Sequence, residues 1–173
     1  MCDWPVDFPS RKPLPDDTVA MSRHRAVFQP RCSRWSERVH ESFARQGAMA
    51  LIGAELVALT PGHCDLALVP RAEVSQQHGY VHAGIVAALV DTAGGYAGYT
   101  LFPDDASVLT VEFKLNLLAP ATGDRIVAEG SVVRPGRSIV VTSGEVYAEA
   151  GARRALVALM QQTLMVMHGK PDA

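Results

Sequence analysis

Asp91 is the one carboxylate in an apolar run of mostly small residues, HAGIVAALVDTAGGYAG, at positions 82–98. An unpaired buried carboxylate is costly, so such a residue must be neutralised, be paired, or serve a function. Ser75, His78 and His82 lie just upstream. A nucleophilic serine built from Ser75, His78 and Asp91 is the poorer reading, because no Gly-x-Ser-x-Gly turn presents Ser75. The glycines of GGYAG fall inside the helical run, where they permit close packing, and no phosphate-cradling loop is present. Cys2, Cys32 and Cys64 are far apart and lack close Cys or His spacing, so no metal site is expected. Free thiols in a reducing, cytoplasmic setting fit them better.

The elements that must position Asp91 follow from length and pattern. A chain of 173 residues suits one domain with a tail. Its 48% hydrophobic and 20% charged content is that of an ordinary globular protein. With net charge −2 and scattered Lys and Arg, it has no basic stripe, and a nucleic-acid partner is not expected. Residues 80–102 are long enough to span a bilayer, but a central Asp costs about 2.5–3.5 kcal/mol on insertion scales and Gly and Ala offset little of that. No membrane partner is expected either.

Residues 1–35 are Pro-rich and without sustained period, an extended or disordered N-terminal arm. The folded domain is placed at 36–168, with a short tail at 169–173. Ser36 is a candidate N-cap for a short helix to Gln46. Two β-rich runs flank Thr60-Pro61-Gly62 as a hairpin. In SVLTVEFKLNLLAP, Leu109, Val111, Phe113 and Leu115 alternate with Thr110, Glu112, Lys114 and Asn116, which predicts a half-buried strand. Two further strands meet at a turn in Arg134-Pro135-Gly136-Arg137, and the last apolar run, RALVALMQQTLMVM, is read as a fourth strand after the helix. The order β-β-α-β-β-β-β leaves one long helix, apolar on nearly every face, to be enclosed by a sheet.

These stretches also resemble a known family. HAGIVAALVDTA, followed by TVEFKLNLLAPATGD and VVRPGRSIVV, is similar to the acyl-CoA thioesterases of the PaaI-like branch, across residues 50–167. The resemblance implies an α+β hotdog fold, with an antiparallel sheet wrapped around a long central helix. It implies hydrolysis of acyl-CoA thioesters to free acid and coenzyme A, the coenzyme being part of the substrate, with no other cofactor and no metal. It also implies a homodimer or a dimer of dimers. Carried over by position, the family histidine falls on His82, the oxyanion-binding amide on Ala83 and the catalytic acid on Asp91. A polar residue six before the histidine falls on Gln76, and a Ser or Thr near the carboxylate on Thr110. The chain departs in having His-Ala-Gly for His-Gly-Gly, and Gln for Asn at 76, which leaves Gln76, Gln77 and His78 as candidates to hold the attacking water. Basic residues at Arg134 and Arg137 would hold the phosphates of coenzyme A, unless they only solvate a hairpin tip.

On this reading the amides at the helix start, Ala83 and Gly84, stabilise a developing oxyanion. Asp91 lies eight residues along, about 12 Å at the helical rise, too far to share one carbonyl with Ala83 of the same chain. The site is therefore expected between subunits. The strip Ala83, Ala87, Asp91, Gly94 and Gly98 is expected to leave room for a second backbone or a narrow acyl tunnel. Two rivals remain: a hydratase on the same fold, for which the His-acid context is missing, and a non-catalytic acyl-thioester binder or regulator.

Overall fold

Helix α3, Ala83–Tyr99, packs its apolar side chains on one face of a six-stranded sheet, and at one strand glycine its backbone comes directly against the sheet. The computed structural model describes residues 27–170 and 172. Ahead of α3 come α1 (Trp35–Arg45), α2 (Gly47–Ile52) and the hairpin β1 (Glu55–Thr60) and β2 (His63–Leu68). After it come β3 (Ala106–Leu117), β4 (Arg125–Pro135), β5 (Ile139–Ala150) and β6 (Arg153–His168). All strand pairs are antiparallel, in the order β1-β2-β4-β5-β6-β3. The expected α+β fold and its order of strands are thus found.

On β5, Val140, Thr142, Gly144, Val146 and Ala148 alternate inward, and on β6 Ala158, Met160, Gln162, Leu164 and Val166 do the same. Val86, Leu89, Val90, Ala93 and Ala97 of α3 pack on this face. At Gly130 of β4 a Cβ would stand 2.4 Å from the backbone carbon and oxygen of Ala93, so helix and strand meet backbone to backbone. Neither partner can move aside as a flexible side chain would. Gly130→Ala is expected to destabilise the fold by about 3 kcal/mol, at the upper end for overpacking, and to lower the thermal midpoint by roughly 6–12 °C. Calorimetry on the purified variant measures this.

Four local expectations need correction. The first helix starts at Trp35 with Arg34 at the N-cap and no side-chain cap, so Ser36 lies inside the first turn. The chain turns at Gln46 and resumes as α2, a helix that the sequence reading did not separate, ending at Gly53 with φ 70°. The turn between β4 and β5 is residues 136–138 rather than 134–137, because Arg134 and Pro135 still belong to β4. Finally, β3 pairs only with β6 and carries a bulge between Thr110 and Glu112. The extra residue reverses the parity of the strand. Val108 and Thr110 before the bulge and Leu115 after it face the helix, while Leu109, Val111 and Phe113 are 54%, 51% and 41% exposed.

Part of the N-terminal arm packs on the body: Phe28 lies against Gly62 and Cys32 is buried. The rest of that arm, residues 1–26 with Cys2, lies outside the described residues. Cys32 and Cys64 are both free thiols. No helix among the described residues is long and apolar enough to cross a membrane.

Candidate active site

The start of α3 is shaped by its cap. His82 holds an extended backbone, φ −61° and ψ 137°, and its Nδ1 accepts the Gly84 N–H at 2.9 Å. In the neutral ring the proton then sits on Nε2, so His82 serves the helix start through Nδ1. Gly84, expected as a second oxyanion donor, has its N–H engaged by the same bond. The Ala83 N–H has no acceptor among the described residues.

Gln76 is brought to Ala83 by a tight turn. The Gly79 N–H donates to the Gln76 carbonyl at 2.9 Å, with Gly79 at φ 82°, and Gln76 Oε1 accepts the His78 N–H at 2.7 Å. The Gln76 side chain thus turns its oxygen into the loop and keeps its NH₂ for other partners. Gln76 and Ala83 line one small pocket of about 170 Å³, with Tyr80, Val86, Leu117 and Val157. Gln77 and His78 do not line it.

Asp91 and Thr110 meet in a second pocket, of about 270 Å³, walled by Gln46, Thr92, Gly95, Tyr96, Val108 and Leu109. Thr110 Oγ1 donates to Asp91 Oδ1 at 2.9 Å. Gln162 Nε2 donates to the same oxygen at 2.5 Å. Oδ2 accepts no bond from a described residue and is not sealed off, so it stays open to the pocket. Burial pushes the Asp91 carboxyl above the ordinary carboxylate range, while the bonds from Thr110 and Gln162 pull it back. A carboxylate so placed is more basic than one in water and keeps one oxygen for chemistry.

The structure therefore brings together Asp91 with Thr110, and Ala83 with Gln76, but puts the two pairs in separate pockets along α3. Arg134 and Arg137 are exposed at the β4–β5 tip, by the helix's far end, where Leu101–Pro103 meet Pro135 and Gly136. No metal-binding cluster is found among the described residues. The small-residue strip needs correction: Gly94 and Gly98 face this chain's own sheet, where a Cβ would meet Gln162 and Leu164 at 2.2 and 2.5 Å. Gly95 instead opens onto the Asp91 pocket, with nothing within 4 Å of a Cβ.

Gln162, Thr142, Gln46 and Tyr96 were not anticipated. For Gln162 a signal existed, since it shares the inward parity of Met160 and Leu164. The Tyr96 hydroxyl accepts from Gln46 Nε2 at 2.8 Å and shares a hydrogen bond with the Ser42 hydroxyl at 3.0 Å, which ties α1 and the turn after it to the wall of the pocket.

The chain is similar to several known proteins. Residues 78–155, which include Ala83, Asp91 and Thr110, match the profile described as the thioesterase superfamily. An esterase-named protein of Halobacterium salinarum is 34% identical over 110 residues, 60% of this chain and 72% of that protein. The crystal structure of a thioesterase family protein from Silicibacter pomeroyi is 42% identical, with a TM-score of 0.77, covering 78% of this chain and 99% of that one. The PaaI protein of E. coli, from the phenylacetic acid degradation operon, shares the fold at a TM-score of 0.71 and 19% identity, over 79% and 96% of the two chains.

Proposed function

We propose, since this chain belongs to the thioesterase superfamily, that it hydrolyses acyl-CoA thioesters to a free acid and coenzyme A, working as a homodimer or a dimer of such dimers. The observation that carries this reading is Asp91: half-buried, raised in basicity, held through Oδ1 and open at Oδ2. Asp91 either takes a proton from water attacking the thioester carbon or attacks that carbon itself to give an anhydride that water then opens. In both routes a carbon–oxygen bond forms, the carbon–sulfur bond breaks and the thiolate leaves with a proton from solvent. The developing oxyanion is met by the Ala83 amide, with the Gln76 NH₂ beside it.

Two observations support a shared site. Ala83 and Asp91 lie about 12 Å apart on one helix. Strand β3 also presents an unpaired edge bearing Val111 and Phe113, of the kind that pairs with a second copy. Pairing these edges would set the helix start of one copy near the carboxylate of the other. Arg134 and Arg137 form no ion pair among the described residues, and they are assigned to the phosphates of coenzyme A.

The test is a thiol-release assay across short, medium, aromatic and long acyl-CoAs. Release from at least one of these is expected. Binding of these thioesters with no release from any would replace the enzyme reading with that of a non-catalytic binder.

A further inference from the structure

Beneath Asp91, β5 and β6 bring together two polar side chains that are fully buried, Thr142 and Gln162. A buried primary amide is costly unless its donors and acceptor are met, and here they are. Thr142 Oγ1 donates to Gln162 Oε1 at 2.7 Å. Gln162 Nε2 lies 2.5 Å from Asp91 Oδ1, 3.1 Å from the Asp91 carbonyl oxygen and 3.2 Å from Thr110 Oγ1. A carbonyl and an ionised carboxylate only accept, so the amide has one orientation that satisfies every group, NH₂ toward Asp91 and oxygen toward Thr142. The helix makes room for it at Gly94, where a Cβ would stand 2.2 Å from Gln162 Oε1. A mid-helix glycine, unfavourable by propensity, is accounted for by this approach.

Both donors that reach the carboxylate converge on Oδ1. We infer that Gln162, oriented by Thr142, is a positioning residue that fixes Oδ1 of Asp91 and thereby assigns the reaction to Oδ2. The inference rests on Asp91 being the reacting group proposed above. Apart from Asp91 itself, no charged side chain among the described residues lines the pocket to do the same work. Of the groups that face Asp91 from α3, β3, β5, β6 and the α1–α2 turn, only Tyr96 titrates, and its phenol is held by Ser42 and Gln46 and raised by burial. Glu112 of β3 is bonded to Thr163, away from the site.

The experiment compares wild type with Gln162→Met, Thr142→Val and Thr142→Ser by a carbon-13 titration of the Asp91 carboxyl, pH profiles of kcat and KM, and thermal midpoints. In Gln162→Met the carboxyl titration and the acid limb of kcat are expected to rise together by about one pH unit. Its kcat is expected to fall about 10- to 100-fold, the loss of one hydrogen bond to a charged group, with KM changed far less. Thr142→Val, which frees the amide to turn, shifts the limb in the same direction by less, and Thr142→Ser restores it. A purely structural role would lower thermal midpoints and leave the limb in place. Should Gln162→Met not fold, the near-isosteric Thr142 pair still decides. An Asp91 titration unmoved in folded Gln162→Met, or in Thr142→Val, overturns the inference. A titration that rises while the kcat limb stays put overturns Asp91 as the reacting group and supports Gln162's hold on its carboxylate.

Discussion

Replacing Asp91 by Asn is expected to lower kcat for thioester hydrolysis by roughly 10²–10⁴, the range for loss of a positioned base, while raising the stability of the fold at neutral pH. Asn is nearly isosteric, and its Oδ1 accepts the same two donors, Thr110 and Gln162. What disappears is the charge and with it the free basic oxygen. The gain in stability follows from the raised carboxyl, whose main cause is burial. In the window between the ordinary carboxylate pKa and the raised folded one, the native state binds more protons than the unfolded chain. Stability of the wild type therefore falls as pH rises through that window and stays lower above it. Asn does not ionise, so its thermal midpoint should exceed that of wild type at neutral pH, and the gap should close as pH drops below the ordinary carboxylate value. Thermal melts of both proteins across that range, beside thiol-release rates, check the two halves. Equal rates for the two proteins would remove Asp91 from the chemistry.

The second large effect concerns the amide of Ala83. This residue opens α3, the one helical position where proline is well tolerated, and His82 before it already has the extended backbone that proline demands. Ala83→Pro removes one N–H while leaving the helix intact. If that N–H meets the oxyanion, kcat is expected to drop by roughly 10²–10³ with little change in thermal midpoint. The partnership between copies gives the sharper measurement. Mixing Ala83→Pro with Asp91→Asn chains, unfolded and refolded together, forms hybrid dimers in which one of the two shared sites has both an intact amide and an intact carboxylate. Random reassortment should then recover about a quarter of wild-type activity from two nearly inactive parents. A mixture no more active than its parents, once hybrids are shown to have formed, would place amide and carboxylate of each site on one chain.

Much of this was legible from local pattern. The runs after α3 are rich in strand formers and divided by turn residues, and β4, β5 and β6 formed where those runs lay, the last of them read as a strand from its short connection to the strand before it. The helix carries apolar residues on nearly every face, which is intelligible only inside a sheet, and it runs as expected from Ala83. Asp91 stood out because a carboxylate in such a run must be accounted for, and Thr110 was placed beside it by likeness to a family. These are properties that a residue shares with neighbours a few positions away.

Other features depended on pairing between distant segments. The bulge on β3 is set by its register with β6, and one extra residue puts Leu109 on the opposite face from Leu115, although the alternation alone sets the two together. The glycines of GGYAG look alike in sequence, yet Gly94 is filled by Gln162 while Gly95 opens to the pocket, because successive helical residues point about 100° apart. Gln162 reaches Asp91 across 71 positions of sequence. The sequence by itself therefore determined the elements, the enclosure of the helix and the carboxylate, since periodicity and burial cost are local. Only the tertiary structure decided which oxygen of that carboxylate is held and which is left to react, since hydrogen bonds are made by groups that the fold, and not the chain, brings together.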